Sequence, residues 1–309
     1  MKLELTIVFS ERQELTGYER DAVENIKRLC LEFDGYEPGI HFDARLNAIK
    51  TMPAIFLAEA KGASGESRVV GAAFIFAPGR SEGEFSACID PLFRRSGLFS
   101  QLFSMAVNTL VSAGVPSLLL VSDGRLGNGG SIARKLGAER SYGEITMVLV
   151  PKKSRLESPT ALYAGSVRLV PFSHKELDDL AALPADIFVG SFQDERALIE
   201  SSIDDPACEH YSVRSAEGIV GLVALYGKDG DYMINGLSVL PSLRRKGYGG
   251  AILDAVISIL RRRNASSVRL EVEETNVAAI ALYRSRNFTE ESRTEYWRVS
   301  LDSLGYAVP

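Results

Sequence analysis

Pro241-Ser242-Leu243-Arg244-Arg245-Lys246-Gly247 repeats a segment met 150 residues earlier, Pro91-Leu92-Phe93-Arg94-Arg95-Ser96-Gly97. Each copy follows an apolar, strand-like run and opens an amphipathic helix. An internal repeat settles the architecture before local reading does. It predicts two related domains, and 309 residues accommodate two domains of about 150 residues each. Hydrophobic residues at 46% and charged residues at 24% suit globular domains with substantial cores.

Outward from the second copy, periodicity predicts a strand at 167–172 and helices around 174–183 and 194–203. Strands follow near 210–215, 219–226 and 232–239, with Lys228-Asp229-Gly230-Asp231 as the hairpin between the last two. A helix over 248–263, a strand over 268–273, a helix over 277–286 and a strand over 295–301 complete the unit. The first half runs in the same order. Its strands are read at 3–10, 53–60, 69–77, 84–89, 117–122 and 142–150, and its helices at 18–33, 41–50, 97–113 and 131–136. The Gly-rich stretch 123–130 reads as a flexible turn. Residues 151–159 are polar and bounded by Pro151 and Pro159, which marks a linker. The expectation is α/β (α+β, mixed sheet), with domains at 1–150 and 160–309.

Charge and cysteines narrow the function classes. The net charge is −5, unevenly spread: residues 1–155 carry 19 basic against 18 acidic side chains, the remainder 16 against 22. An acidic second half disfavours nucleic acid as a partner. No apolar run reaches the roughly 18 residues that span a bilayer, and the N-terminus lacks a signal-peptide pattern. Cys30, Cys88 and Cys208 are widely spaced and odd in number. They read as reduced thiols of a cytoplasmic protein, without metal spacing.

The repeated segment has its own chemistry. Backbone N–H groups at a helix N-terminus form an anion site reinforced by the helix dipole. Gly247, Gly249 and Gly250 let the backbone approach a ligand closely, and Arg244, Arg245 and Lys246 add cations beside it. That suits a pyrophosphate. Neither a Walker A loop nor a Rossmann fingerprint fits, since no Gly-Lys-Ser/Thr follows and three strands precede. Arg244, Gly247 and Gly249 resemble the R/Q-x-x-G-x-G/A loop of the GNAT superfamily of N-acetyltransferases, and the element order of both units is similar to that fold. The resemblance implies acetyl-CoA as co-substrate, lying in a V-shaped opening between the fourth and fifth strands. Backbone groups of Leu237, Ser238 and Val239 would meet its pantetheine arm, and residues Arg244 to Gly250, Tyr248 included, its phosphates.

Asn276 to Phe288 resembles the family's second signature, N-x-x-A-x-x-x-Y-x-x-x-G-F, with Asn287 in place of Gly. Asn also tolerates the left-handed backbone of a helix end. Asn276 and Tyr283 fall on one helix face, about 10 Å apart along the axis, so one is expected to touch the cofactor's arm while the other reaches its sulfur. In the family, a tyrosine at the position of Tyr283 protonates the departing thiolate, a task suited to a phenol with a pKa of about 10. A base must also neutralise the substrate ammonium. Arg269, Glu271 and Glu273 share one strand face. Glu273, near the strand's end, is the expected base, with Asp231 and His210 as further candidates.

In the first half, Phe99 stands for Gly249, Leu126 for Asn276, Ala133 for Tyr283 and Ala138 for Phe288. The catalytic unit is therefore expected in the second half, with the first degenerate; the two-domain arrangement resembles that of tandem members of the family. The implied activity is direct acetyl transfer from acetyl-CoA to a primary amine of a small molecule or peptide, by a monomer or homodimer without a metal. The alternative is a non-catalytic CoA-binding or scaffold protein, against which the Asn276–Tyr283 pair argues.

Overall fold

The computed structural model describes residues 5–36, 38, 44, 47–63, 65–124, 128–150, 167–174, 177, 196, 199–200 and 202–305. The chain forms two compact units: Met1–Tyr142 with Thr294–Pro309, and Gly143–Arg293.

Unit 1 opens with β1 (Thr6–Arg12) and α1 (Gly17–Asp34). A capping box starts α1: Thr16 accepts the Glu19 N–H while Glu19 accepts the Thr16 N–H. A meander follows, β2 (Ile55–Lys61), β3 (Ser67–Phe76) and β4 (Glu82–Ile89). Next come α2 (Leu98–Ser112), β5 (Ser117–Asp123) and α3 (Asn128–Lys135). Val23, Ile26 and Cys30 of α1 pack on Ile55, Leu57 and Phe74. Leu102, Ala106 and Leu110 of α2 pack on Phe56, Ile75 and Leu118. These two helical stripes bury alternate residues of the same strands, so β2 is apolar on both faces.

Unit 2 contains β6 (Glu139–Leu149, from Gly143 on), β7 (Arg168–Pro171), β8 (Cys208–Ser215), β9 (Gly218–Lys228) and β10 (Asp231–Val239). Then follow α4 (Tyr248–Arg262), β11 (Ser267–Glu273) and α5 (Val277–Arg284). Its strand order is β6-β11-β10-β9-β8-β7, with β10–β11 parallel and the other pairs antiparallel. Lys228 pairs with Asp231 across Asp229 and Gly230, at φ 52° and 88°. Two left-handed residues are what a type I′ hairpin needs. Ile252, Val256 and Leu260 of α4 join Val223, Leu225, Val268 and Leu270 in the core.

The division differs from that read in the sequence. β6, expected to close the first unit, pairs with β11 of the second from Leu149↔Val268 to Glu144↔Glu273. β12 (Thr289–Ser300), expected to close the second, pairs with β5 from Asp123↔Thr294 to Ser117↔Ser300. Unit 2 is thus the continuous segment 143–293 rather than 160–309, and unit 1 takes in both chain ends rather than 1–150. Alternation identifies a strand and its buried face; it does not name the neighbouring strand. The linker at 151–159 lies outside the described residues, as do most of 174–183 and half of 194–203; of the helix expected at 41–50, residues 47–50 are described and form bends and a turn instead.

The stretch 123–130 is also corrected. α3 starts within it, at Asn128. A Cβ on Gly129 would lie 2.1 Å from Ser122 Cβ, and one on Gly130 2.6 Å from the Trp297 ring. These glycines let α3 sit close against the sheet.

Candidate active site

β10 and β11 pair only from Asp231↔Ser267 to Ile234↔Leu270. Beyond Ile234 they part, β10 continuing along β9 and β11 along β6. A bulge accompanies the split. The β10–β9 register shifts between Asn235 and Ser238, and Gly236 takes φ 57°, a conformation open to glycine. Gly221 on β9 makes room for it: a Cβ there would lie 2.1 Å from the Ser238 carbonyl oxygen. Leu237, Ser238 and Val239 therefore present a backbone edge that no strand among the described residues pairs on the β11 side.

The turn after β10 aims a helix end at this opening. Arg244 is extended, and its Nε donates to the Val239 carbonyl at 3.1 Å. Arg245 and Gly247 are left-handed, at φ 64° and 88°. Gly247 caps α4 without any side-chain hydrogen bond. The N–H groups of Tyr248, Gly249 and Gly250 consequently have no intrahelical acceptor and form the positive end of the helix dipole. Arg245 and Lys246 beside them are exposed. Tyr248 contributes backbone only, since its ring is buried and its hydroxyl donates to Glu217 at 2.9 Å. A Cβ on Gly249 would meet Leu282 of α5 at 3.4 Å and Val239 of β10 at 3.9 Å, so three elements converge there. A Cβ on Gly250 would lie 2.7 Å from Arg286 Nη2, which Asp254 holds at 3.1 Å.

Asn276 is the N-cap of α5, its Oδ1 accepting the Ala279 N–H at 3.1 Å. Seven residues on, the Tyr283 ring is 7% exposed, in the core with Val272, Ile280 and Phe288. Its hydroxyl has no partner among the described residues and is not among their sealed polar atoms, so it reaches solvent. Burial raises its pKa, which keeps the phenol protonated at neutral pH. α5 ends with Asn287 at φ 65° and the Phe288 N–H donating to the Tyr283 carbonyl at 3.1 Å. Asn287 takes the left-handed position that glycine fills in the family pattern.

The candidate bases separate clearly. Glu273 is exposed and accepts a hydrogen bond from Thr275 Oγ1 at 2.6 Å. Asp231 lies at the closed end of the strand pair and accepts from Ser267 Oγ at 2.5 Å. His210 is buried on β8 between Ser202 Oγ at 3.0 Å and Cys208 Sγ at 3.4 Å, and desolvation lowers its pKa. Glu271 lies past the split, on the face shared with Glu273. Its surface is open to solvent, yet enough protein surrounds the carboxyl for desolvation to raise its pKa. No hydrogen bond engages it among the described residues. Spacing passed over Glu271, Gly236 and Gly221. The turn dipeptide Asn235-Gly236 inside a strand run was the available sign of the bulge.

Unit 1 repeats the turn but not the bulge. Arg95 and Gly97 stand at φ 61° and 87°, and β4 and β5 also pair only from Glu82↔Ser117 to Phe85↔Leu120. The β4–β3 register, however, runs without a shift. Phe99 stacks on Phe103 at 6.0 Å, and both meet Phe85 edge-on, at 5.9 and 5.4 Å. These rings stand where unit 2 has Gly249, Leu253 and Asn235. Asp34 grips Arg94 with two hydrogen bonds, at 2.8 and 2.5 Å. Ala133, fully buried, stands for Tyr283; Leu126 lies outside the described residues.

Residues 177–288 match the Acetyltransferase (GNAT) family. The chain is 27% identical over 237 residues to the mycothiol acetyltransferase of Clavibacter michiganensis subsp. michiganensis, spanning 73% of this chain and 74% of that protein. It is 30% identical over 125 residues to the N-alpha-acetyltransferase RimI of Mycobacterium tuberculosis, 39% of this chain and 77% of that protein. In fold it is similar to a GCN5-related N-acetyltransferase from Sphaerobacter thermophilus, with a TM-score of 0.74, 15% identity and 96% of both chains covered. A matching sequence signature, a mixed α/β fold and these relatives lead to one conclusion: the chain belongs to the Acetyltransferase (GNAT) family and is an acyltransferase.

Proposed function

We propose that the chain transfers an acetyl group from acetyl-CoA directly to a primary amine of a small molecule or peptide, using unit 2. The observation that carries this reading is the bulged split between β10 and β11, with the uncapped α4 N-terminus and the Tyr283 helix converging on it. The residues fit the co-substrate. Arg244, Arg245 and Lys246 with the N–H groups of Gly247 to Gly250 suit its pyrophosphate. The open edge at Leu237, Ser238 and Val239 suits the amides of its pantetheine arm. Acetyl-CoA supplies the activated acyl group as a thioester.

The remaining work falls to side chains. Glu271 takes the proton of the acceptor ammonium, because its raised pKa brings it nearer to neutral pH than an ordinary carboxylate. This replaces Glu273, which Thr275 engages. Tyr283 Oη holds a proton that the departing sulfur can take. Asn276 Oδ1 fixes the start of α5 and so the direction of Tyr283. Unit 1, with an unbulged β4 and Ala133 in place of Tyr283, is not catalytic.

Acetyl-CoA should raise the melting temperature of the full chain, and ligand at 100 times Kd stabilises by about 2.7 kcal/mol. No shift at millimolar acetyl-CoA overturns the reading.

A further inference from the structure

Thr146 stands directly opposite Glu271 in the β6–β11 pair, and Glu144 opposite Glu273. Residues so paired share a sheet face, with Cβ atoms about 5 Å apart. Burial agrees with this face assignment. Ile145, Met147 and Leu149 of β6 lie in the core with Val268, Leu270 and Val272 of β11. Glu144, Thr146 and Val148 are half-buried on the face of Arg269, Glu271 and Glu273. β6 is anchored beyond the ladder: Met147 is fully buried, and the Glu274 N–H donates to the Gly143 carbonyl at 2.9 Å.

We infer that Thr146 is a positioning residue for Glu271, acting across the β6–β11 pair, so that a strand encoded in the first half of the chain forms part of the acyl-transfer site of unit 2. The inference rests on Glu271 as the base of the proposed reaction. The charged groups sharing its face are Arg269 and Glu273 on its own strand, Glu144 on β6 and Asp231 on β10. Arg269 is held by Glu291 at 2.7 Å. Tyr283 approaches β11 from the opposite face. Among these neighbours Thr146 is the one directly across the ladder, so its side chain sets the polarity facing the carboxyl. Unit 1 provides the contrast, since Val121 stands for Glu271 and is paired with Tyr296.

The test uses the full chain carrying ¹³C-labelled glutamate carboxyls, titrated by NMR, with Glu271 assigned by the signal missing from Glu271→Gln. Thr146→Lys should lower the Glu271 midpoint by about one pH unit, because a facing cation favours the carboxylate. Thr146→Val, which keeps size and strand preference, should raise it by putting an apolar group in place of a polar one beside the carboxyl. Tyr296→Lys should leave it unchanged. A midpoint that stays put in both Thr146 variants, with acetyl-CoA Kd intact, overturns the inference. Failure of the unsubstituted chain to bind acetyl-CoA would sink the site reading instead, without touching the midpoint comparison.

Discussion

Tyr283 and Glu271 flank the split sheet from opposite faces, and burial moves both pKa values upward. The effects on function have opposite signs. A raised phenol remains an acid through the neutral range, whereas a raised carboxyl works as a base only above its midpoint. Acetyl-transfer kcat/KM should therefore fall as pH drops through the Glu271 midpoint, and Glu271→Gln should abolish that limb. Stability runs the other way. A carboxyl with a raised folded pKa favours folding at low pH and costs stability as pH rises through that value. Glu271→Gln should melt higher than the parent at pH 8 and equally at pH 4, which calorimetry can check. Tyr283→Phe should lower kcat by about 10²-fold with acetyl-CoA Kd unchanged, since general acids contribute at least that factor; an unchanged kcat removes Tyr283 from the chemistry. The placement of Tyr283 on the helix that Asn276 caps was legible because helix spacing is fixed by sequence. Glu271 was not singled out, because period two puts three residues on its face and both Glu271 and Glu273 lie past the split.

At the scale of elements, the turn before each long helix was the most legible feature, and the two copies adopt matching backbone angles. What distinguishes them is the strand that precedes the turn. β10 bulges where β4 runs straight, and the bulge depends on Gly221 of its neighbour. Gly221→Ala would drive a Cβ to 2.1 Å from a backbone oxygen, which cannot swing aside as a side chain can. It should cost about 2 kcal/mol of stability and weaken acetyl-CoA binding by straightening β10. The equivalent Gly71→Ala meets Leu102 at 3.4 Å, ordinary contact, and should leave binding intact. Isothermal titration of both variants checks the pair; equal effects would detach the bulge from ligand binding. The bulge escaped sequence reading because it lives in the register between two strands.

At the scale of the whole chain, the repeat announced two units, and two units form, but not the two halves of the sequence. The last strand of each half crosses to the other unit, so the proposed catalytic unit begins at Gly143, before the expected linker. Hydrophobic alternation is satisfied equally by either partner strand, so the sequence alone does not distinguish the two pairings. The repeated Arg-Arg-x-Gly turn marks a duplicated fold in which the strand before the turn is bulged in one copy and straight in the other, where Phe85, Phe99 and Phe103 cluster. Hydrogen–deuterium exchange of the full chain with and without acetyl-CoA tests this most directly. The account requires slowed exchange over 235–250 and no change over 85–100. Equal protection of both segments, or protection of 85–100 alone, would contradict it.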